Sequence, residues 1–150
     1  MDSKDITPLG VLKHTYGYDS FRGDQEAIIN HVINGNNSFV LMPTGGGKSI
    51  CYQIPSICRD GVGIIISPLI ALMHDQVTAL KQLGVKAASI NSAISGWEVR
   101  SIIEDAKNNK LDLLYVSPER LLMENFLEII DSFPIALFAI DEAHCVSQWG

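Results

Sequence analysis

Four short apolar runs punctuate the chain: Ser38 to Met42, Val62 to Ile66, Leu111 to Val116 and Ala136 to Ile140. Each is rich in Val, Ile, Leu or Phe, and none alternates cleanly with polar residues. Continuous runs of this length suit strands buried on both faces of a parallel sheet. A weaker fifth candidate is Lys86 to Ile90. Between them lies helical spacing. Asp24 to Ile33 puts Ala27, Ile28 and Val32 on one face, and Leu69 to Leu83 repeats apolar residues at intervals of three and four. Trp97 to Ala106 and Glu119 to Ile130 read the same way, the latter with Pro118 placed just before its start. Strands alternating with helices predict an α/β domain with a mainly parallel sheet.

Polar or glycine-rich clusters follow directly on these runs: Pro43 to Ser49, Ser67-Pro68, Ser117-Pro118-Glu119 and Asp141 to His144. Open α/β sheets bind ligands beyond the carboxyl ends of their strands, so one sheet edge is the expected site.

Composition narrows the class. The 150 residues are 47% hydrophobic and 19% charged, enough apolar material for one core. No apolar stretch is long enough to span a bilayer, and Met1 to Asp5 leads into no signal-like apolar segment. The expectation is a cytoplasmic protein without a membrane partner. Cys51, Cys58 and Cys145 form no C-x-x-C pair, so no zinc is expected and each reads as a small apolar residue. Trp97 reads as a packing residue. The net charge of −6 argues against a broad basic face for nucleic acid, so any such contact should be local.

The sharpest chemical signal is Pro43-Thr44-Gly45-Gly46-Gly47-Lys48-Ser49, between a predicted strand and a helix. Polyphosphate binding needs inward backbone N–H groups, which glycines permit, and a helix N-terminus aimed at the anion. Lys48 would reach the β- and γ-phosphates, and Ser49 would complete the shell of Mg²⁺. Met42 stands where the strict pattern has its first glycine, with Gly45 and Gly46 available to supply the flexibility. The plain alternative is a surface turn before a lysine. An apolar run ending in Asp141-Glu142 supplies the complement: Asp141 to hold the metal, Glu142 to deprotonate the attacking water, and His144 to contact the γ-phosphate region. Alone, such an acidic pair is usually a solvated turn.

Together these residues resemble the RecQ family of helicases. Asp141 to His144 spells the DEAH form of the helicase Walker B motif, and Cys145-Val146-Ser147-Gln148-Trp149-Gly150 is similar to the opening of the family's aromatic-rich loop. Tyr16 to Gln25 resembles its adenine-recognition motif. Met42 to Ser49 continuing through Cys51-Tyr52-Gln53-Ile54-Pro55, then Ser67-Pro68-Leu69 with Asp75-Gln76, and Ser117 to Leu121, match further family segments.

The resemblance implies a three-layer RecA-like P-loop NTPase fold over 1–150, cut short on its C-terminal side, with 1–35 carrying the adenine segment. It implies ATP and Mg²⁺ as cofactors, and single-stranded or partially duplex DNA as partner. It also implies 3′-to-5′ unwinding in recombination and repair, and a second RecA-like lobe outside this chain, without which the 150 residues would at best bind nucleotide. Gln25 would read the adenine edge through its amide, while Tyr18 and Arg22 sandwich the base. Read without the family, Tyr18 and Phe21 are core aromatics and Gln25 a solvated helix residue. Ser67 and Ser117 would bind DNA phosphates, or cap the helices that follow. Trp149 would stack on a base, or be a partly buried surface residue. Two other functions remain open: an RNA helicase of the wider DEAD/DEAH group, and a non-catalytic nucleotide-binding module.

Overall fold

The structure, a computed structural model, describes residues 7–23, 25–34, 39–41, 50–59, 61–67, 70–91, 95–121 and 126–140. Its five strands are β1 (Phe39–Leu41), β2 (Val62–Ile66), β3 (Ala87–Ile90), β4 (Leu113–Val116) and β5 (Ile135–Ile140). They pair in the order β1-β5-β2-β4-β3, every pair parallel. All five predicted strands are therefore present, including the weak one.

Alternate residues of each strand point to opposite faces, and each face carries its own core. On one side Ile65, Leu113, Tyr115, Leu137 and Ala139 pack against α1 (Pro8–Val11), α2 (Gln25–Asn34), α3 (Ile50–Cys58) and α4 (Ile70–Gln82). On the other, Ile64, Leu114 and Val116 meet Val99, Ile103 and Ala106 of α5 (Gly96–Lys107) and Phe126 and Ile130 of α7 (Phe126–Ile130). Helix, sheet and helix make the three layers expected.

Local chemistry explains the elements. Ser95 caps α5 through a full capping box: its hydroxyl accepts from the Glu98 N–H, and the Glu98 carboxylate accepts from the Ser95 N–H. Ser117 Oγ accepts from the Arg120 N–H at 3.2 Å and so caps the short α6 (Pro118–Leu121), with Pro118 at its first position. The predicted helix over 119–130 is described as α6 and α7. Helix α3 lies close on β2: a Cβ on Gly63 would meet Ser56 Oγ at 1.9 Å, so only glycine fits there.

The structure adds one element and corrects two expectations. The N-terminal segment, for which the sequence pattern predicts no element, is helical, α1 running into a π-helical turn (Leu12–Tyr16) that Gly17 ends at φ 80°. Only Val11 and Leu12 of that stretch are buried, too few to show a period in sequence. Ala27 is exposed, and the inner face of α2 is Ile29 and Val32 with Ile28 and Ile33 beside them. Trp97 is not a packing residue: it is 68% exposed. It precedes Val99 by two positions, about 200° around the helix, which turns it away from the face that α5 buries.

Among the described residues, no helix is long and apolar enough to cross a membrane.

Candidate functional site

The carboxyl ends of the strands form one row. Leu41 pairs with Ile140, Ile140 with Ile66, Ile66 with Val116 and Val116 with Ile90. Every strand thus stops at the same level, and each predicted cluster continues from this edge. Pairing of β1 with β5 makes neighbours of the strand that leads into Met42 to Ser49 and the strand that leads into Asp141 to His144. Thr44, Gly45, Gly46, Gly47, Lys48, Ser49, Asp141, Glu142, His144 and Trp149 themselves lie outside the described residues.

Ser67 and Ser117 occupy the next positions on the same edge, after β2 and β4. Both are buried, each 1% exposed. Their backbones extend the sheet, Ser67 N–H donating to Val116 and Ser117 N–H to Ile90. The capping role predicted for Ser117 is therefore occupied by the Arg120 N–H.

The adenine-type segment leaves the Tyr16 turn and enters α2. Tyr18 is 51% exposed, which rules out the plain core reading for this ring, whereas Phe21 does pack against the core. Gln25 folds back on the chain: its Oε1 accepts from the Arg22 N–H at 2.8 Å while its own N–H donates to the Arg22 carbonyl. An amide oxygen has two lone pairs, so this bond fixes the direction of Oε1 without exhausting it. Arg22 is exposed.

A cleft of about 330 Å³ lies beside this segment, with Tyr16, Tyr18, Ile50, Gln53, Asp75 and Gln76 among its walls. Among the described residues it brings Tyr18 to the first turn of α3, but Arg22 and Gln25 do not line it.

From the cleft wall a polar network that the sequence did not single out runs inward to the buried Tyr115 and Tyr52. Tyr16 donates to Gln53 Oε1 at 2.8 Å. Gln53 Nε2 donates to Gln76 Oε1 at 2.8 Å and to the Tyr115 hydroxyl at 3.1 Å. Tyr115 gives its single hydrogen to Gln76 Oε1 at 3.0 Å, which leaves Tyr52 as the donor in its 3.2 Å bond to Tyr115. Burial pushes the Tyr16 hydroxyl well above the usual phenol range, with Tyr115 and then Cys58 adding in the same sense, so it stays a donor. The available sequence signal was Gln53 itself, an amide inside the largely apolar Ile50 to Ile57 stretch.

Fold and edge together define a three-layer α/β domain whose parallel strands end in one row. The chain belongs to the DEAD/DEAH box helicase family, whose pattern matches residues 22–150. Within it, the likeness is to RecQ helicases. The chain is 46% identical to the ATP-dependent DNA helicase RecQ of Haemophilus influenzae, across 96% of this chain and 23% of that protein. It is 48% identical to the RecQ of Bacillus subtilis, across 93% of this chain and 24% of that protein. The chain thus spans about a quarter of the length of the curated relatives it matches. Its fold is shared with the DUF1998 helicase MrfA, in a crystal structure bound to DNA and AMPPNP, at a TM-score of 0.72. That likeness, at 20% identity over 97% of this chain and 22% of the other, is one of fold.

Proposed function

We propose that this chain forms the ATP-binding part, the first RecA-like lobe, of a 3′-to-5′ DNA helicase that acts in the cytoplasm on single-stranded and partially duplex DNA in recombination and repair. The observation that carries the reading is the in-register pairing of β1 with β5, Leu41 opposite Ile140. A Mg·ATP hydrolase needs its phosphate loop and its acidic pair side by side, and these strands lead into those two segments.

In this reading the backbone of Thr44 to Gly47 cradles the phosphates and the Lys48 ammonium neutralises their charge. Ser49 and Asp141 hold Mg²⁺. Bound Mg·ATP supplies the hydrolytic free energy that drives unwinding. Glu142 takes the proton from the attacking water at its carboxylate, and His144 lies toward the γ-phosphate side. Tyr18 and Arg22 enclose the base and Gln25 reads its edge, a role supported by the exposure of Tyr18 and the anchored Gln25 amide. Ser67 and Ser117 stand at the strand ends that this reading assigns to a DNA-phosphate surface. Trp149 stacks on a DNA base. Turnover belongs to the whole protein, in which a second lobe closes on the nucleotide.

The test is ATP hydrolysis and duplex unwinding by the full-length protein, with DNA and with RNA. Lys48→Ala and Glu142→Gln should each abolish unwinding, a loss of at least about a hundredfold, while DNA binding persists. Unwinding retained by either variant would overturn the site assignment. Stimulation by RNA and not by DNA would transfer the protein to the RNA-helicase reading.

A further inference from the structure

The network at the cleft wall joins parts of the chain that are distant in sequence. Tyr16 ends the π-helical turn, two residues before Tyr18. Gln53 stands in the first turn of α3, the helix that follows the phosphate-loop segment. Gln76 is in mid α4, and Tyr115 is one residue short of the end of β4.

Gln53 is 4% exposed and has both ends of its amide committed. Rotating that amide by half a turn would set its NH₂ against Gln76 Oε1 no longer, and would face the Tyr16 hydroxyl with a donor. Gln53, Gln76 and Tyr115 close a three-membered ring of hydrogen bonds, so neither amide can turn over alone without losing bonds. The ring therefore holds the Gln53 amide in place with one end facing the Tyr16 hydroxyl. Tyr16 in turn is tied to α3 across 37 positions of sequence by a 2.8 Å bond.

From this we infer that Tyr16 and Gln53 are positioning residues that set the spacing between the base-reading segment and the phosphate-binding helix. The inference rests on the nucleotide reading above and adds to it. Neither residue needs to touch nucleotide. A ligand that engages only the phosphate loop does not depend on that spacing, whereas one that bridges loop and base segment does. The network thus bears on selection of an adenine nucleotide over bare polyphosphate.

The experiment is equilibrium binding to the full-length protein, without turnover, of ADP and of inorganic tripolyphosphate. Tyr16→Phe removes one oxygen and leaves Gln53 Oε1 without its donor. It should weaken ADP about tenfold, or about 1.4 kcal/mol, and leave tripolyphosphate unchanged. Gln53→Met should do the same where it folds, and Tyr16→Phe decides the matter where it does not. Ser95→Ala, which destabilises the remote α5, serves as the control for general loss of stability and should not change the ratio of the two affinities. Equal binding of ADP by Tyr16→Phe and wild type, or parallel losses for both ligands, would overturn the inference. Wild-type protein that bound neither ligand would instead remove the nucleotide reading, and the inference with it.

Discussion

Gly63 shows how much a single missing side chain decides. It sits inside β2, where a glycine ordinarily weakens a strand, because Ser56 of α3 comes down onto the sheet at that point. Gly63→Ala would drive a Cβ to 1.9 Å from Ser56 Oγ and 2.6 Å from Ser56 Cβ. We expect a loss of about 1–3 kcal/mol in chemical denaturation, the usual range for overpacking. Adding Ser56→Ala removes the nearer atom and leaves the second, so it should restore only part of the loss. Full recovery would mean that the helix moves away freely. The same scale explains what sequence could not disclose. Gln53 looks in sequence like a flaw in an apolar helix, and its partners Tyr16, Gln76 and Tyr115 come from three other elements. Only the folded chain brings them to one amide.

At the level of elements, the strands were legible because burial on both faces leaves no polar alternation to confuse them, and β2 and β4 are buried at every position. Helix α5 was legible for the opposite reason: its buried Val99, Ile103 and Ala106 lie on one side and its charges on the other. The N-terminal turn and the outward Trp97 were not legible, since a short helix shows no period and aromatic character does not reveal which way a residue faces. The capping box of α5 allows a direct test. Ser95→Ala removes the acceptor for the Glu98 N–H and should cost about 1 kcal/mol of stability. Thermal unfolding unchanged by this substitution would show that α5 is held by its packing against the sheet alone.

For the whole molecule, the strand-end edge was predictable from the order of apolar runs and polar clusters, while the alignment of all five ends in one row required the sheet. Overall stability has its own pH signature. Asp112, half-buried just before β4, has its carboxyl pushed above the ordinary range by burial, against weaker opposing effects of the Lys86 N–H and the Lys86 charge. A carboxyl raised in the folded state favours the unfolded chain as pH climbs through the interval from its ordinary value to its raised one. Asp112→Asn keeps an acceptor for the Lys86 N–H and cannot ionise. It should therefore melt higher than wild type at neutral pH, with the difference fading as the solution is acidified below the ordinary carboxylate range. A difference that grew on acidification would reverse the assignment.

The sheet order also governs how the protein comes off the ribosome. β1 is made early, yet its partner is β5, synthesised roughly a hundred residues later, and contacts so far apart in sequence form slowly. At about 5–20 residues per second, β1 waits for some seconds with nothing of its own sheet to pair with. β2, β3 and β4, by contrast, can begin to associate among themselves as soon as they emerge. The arrival of β5 then does two things in one event: it inserts between β1 and β2, and it sets the strand that leads into the acidic segment beside the strand that leads into the glycine loop. A nascent chain is thus kept from assembling the two halves of its proposed nucleotide site until the sheet that supports them is closed.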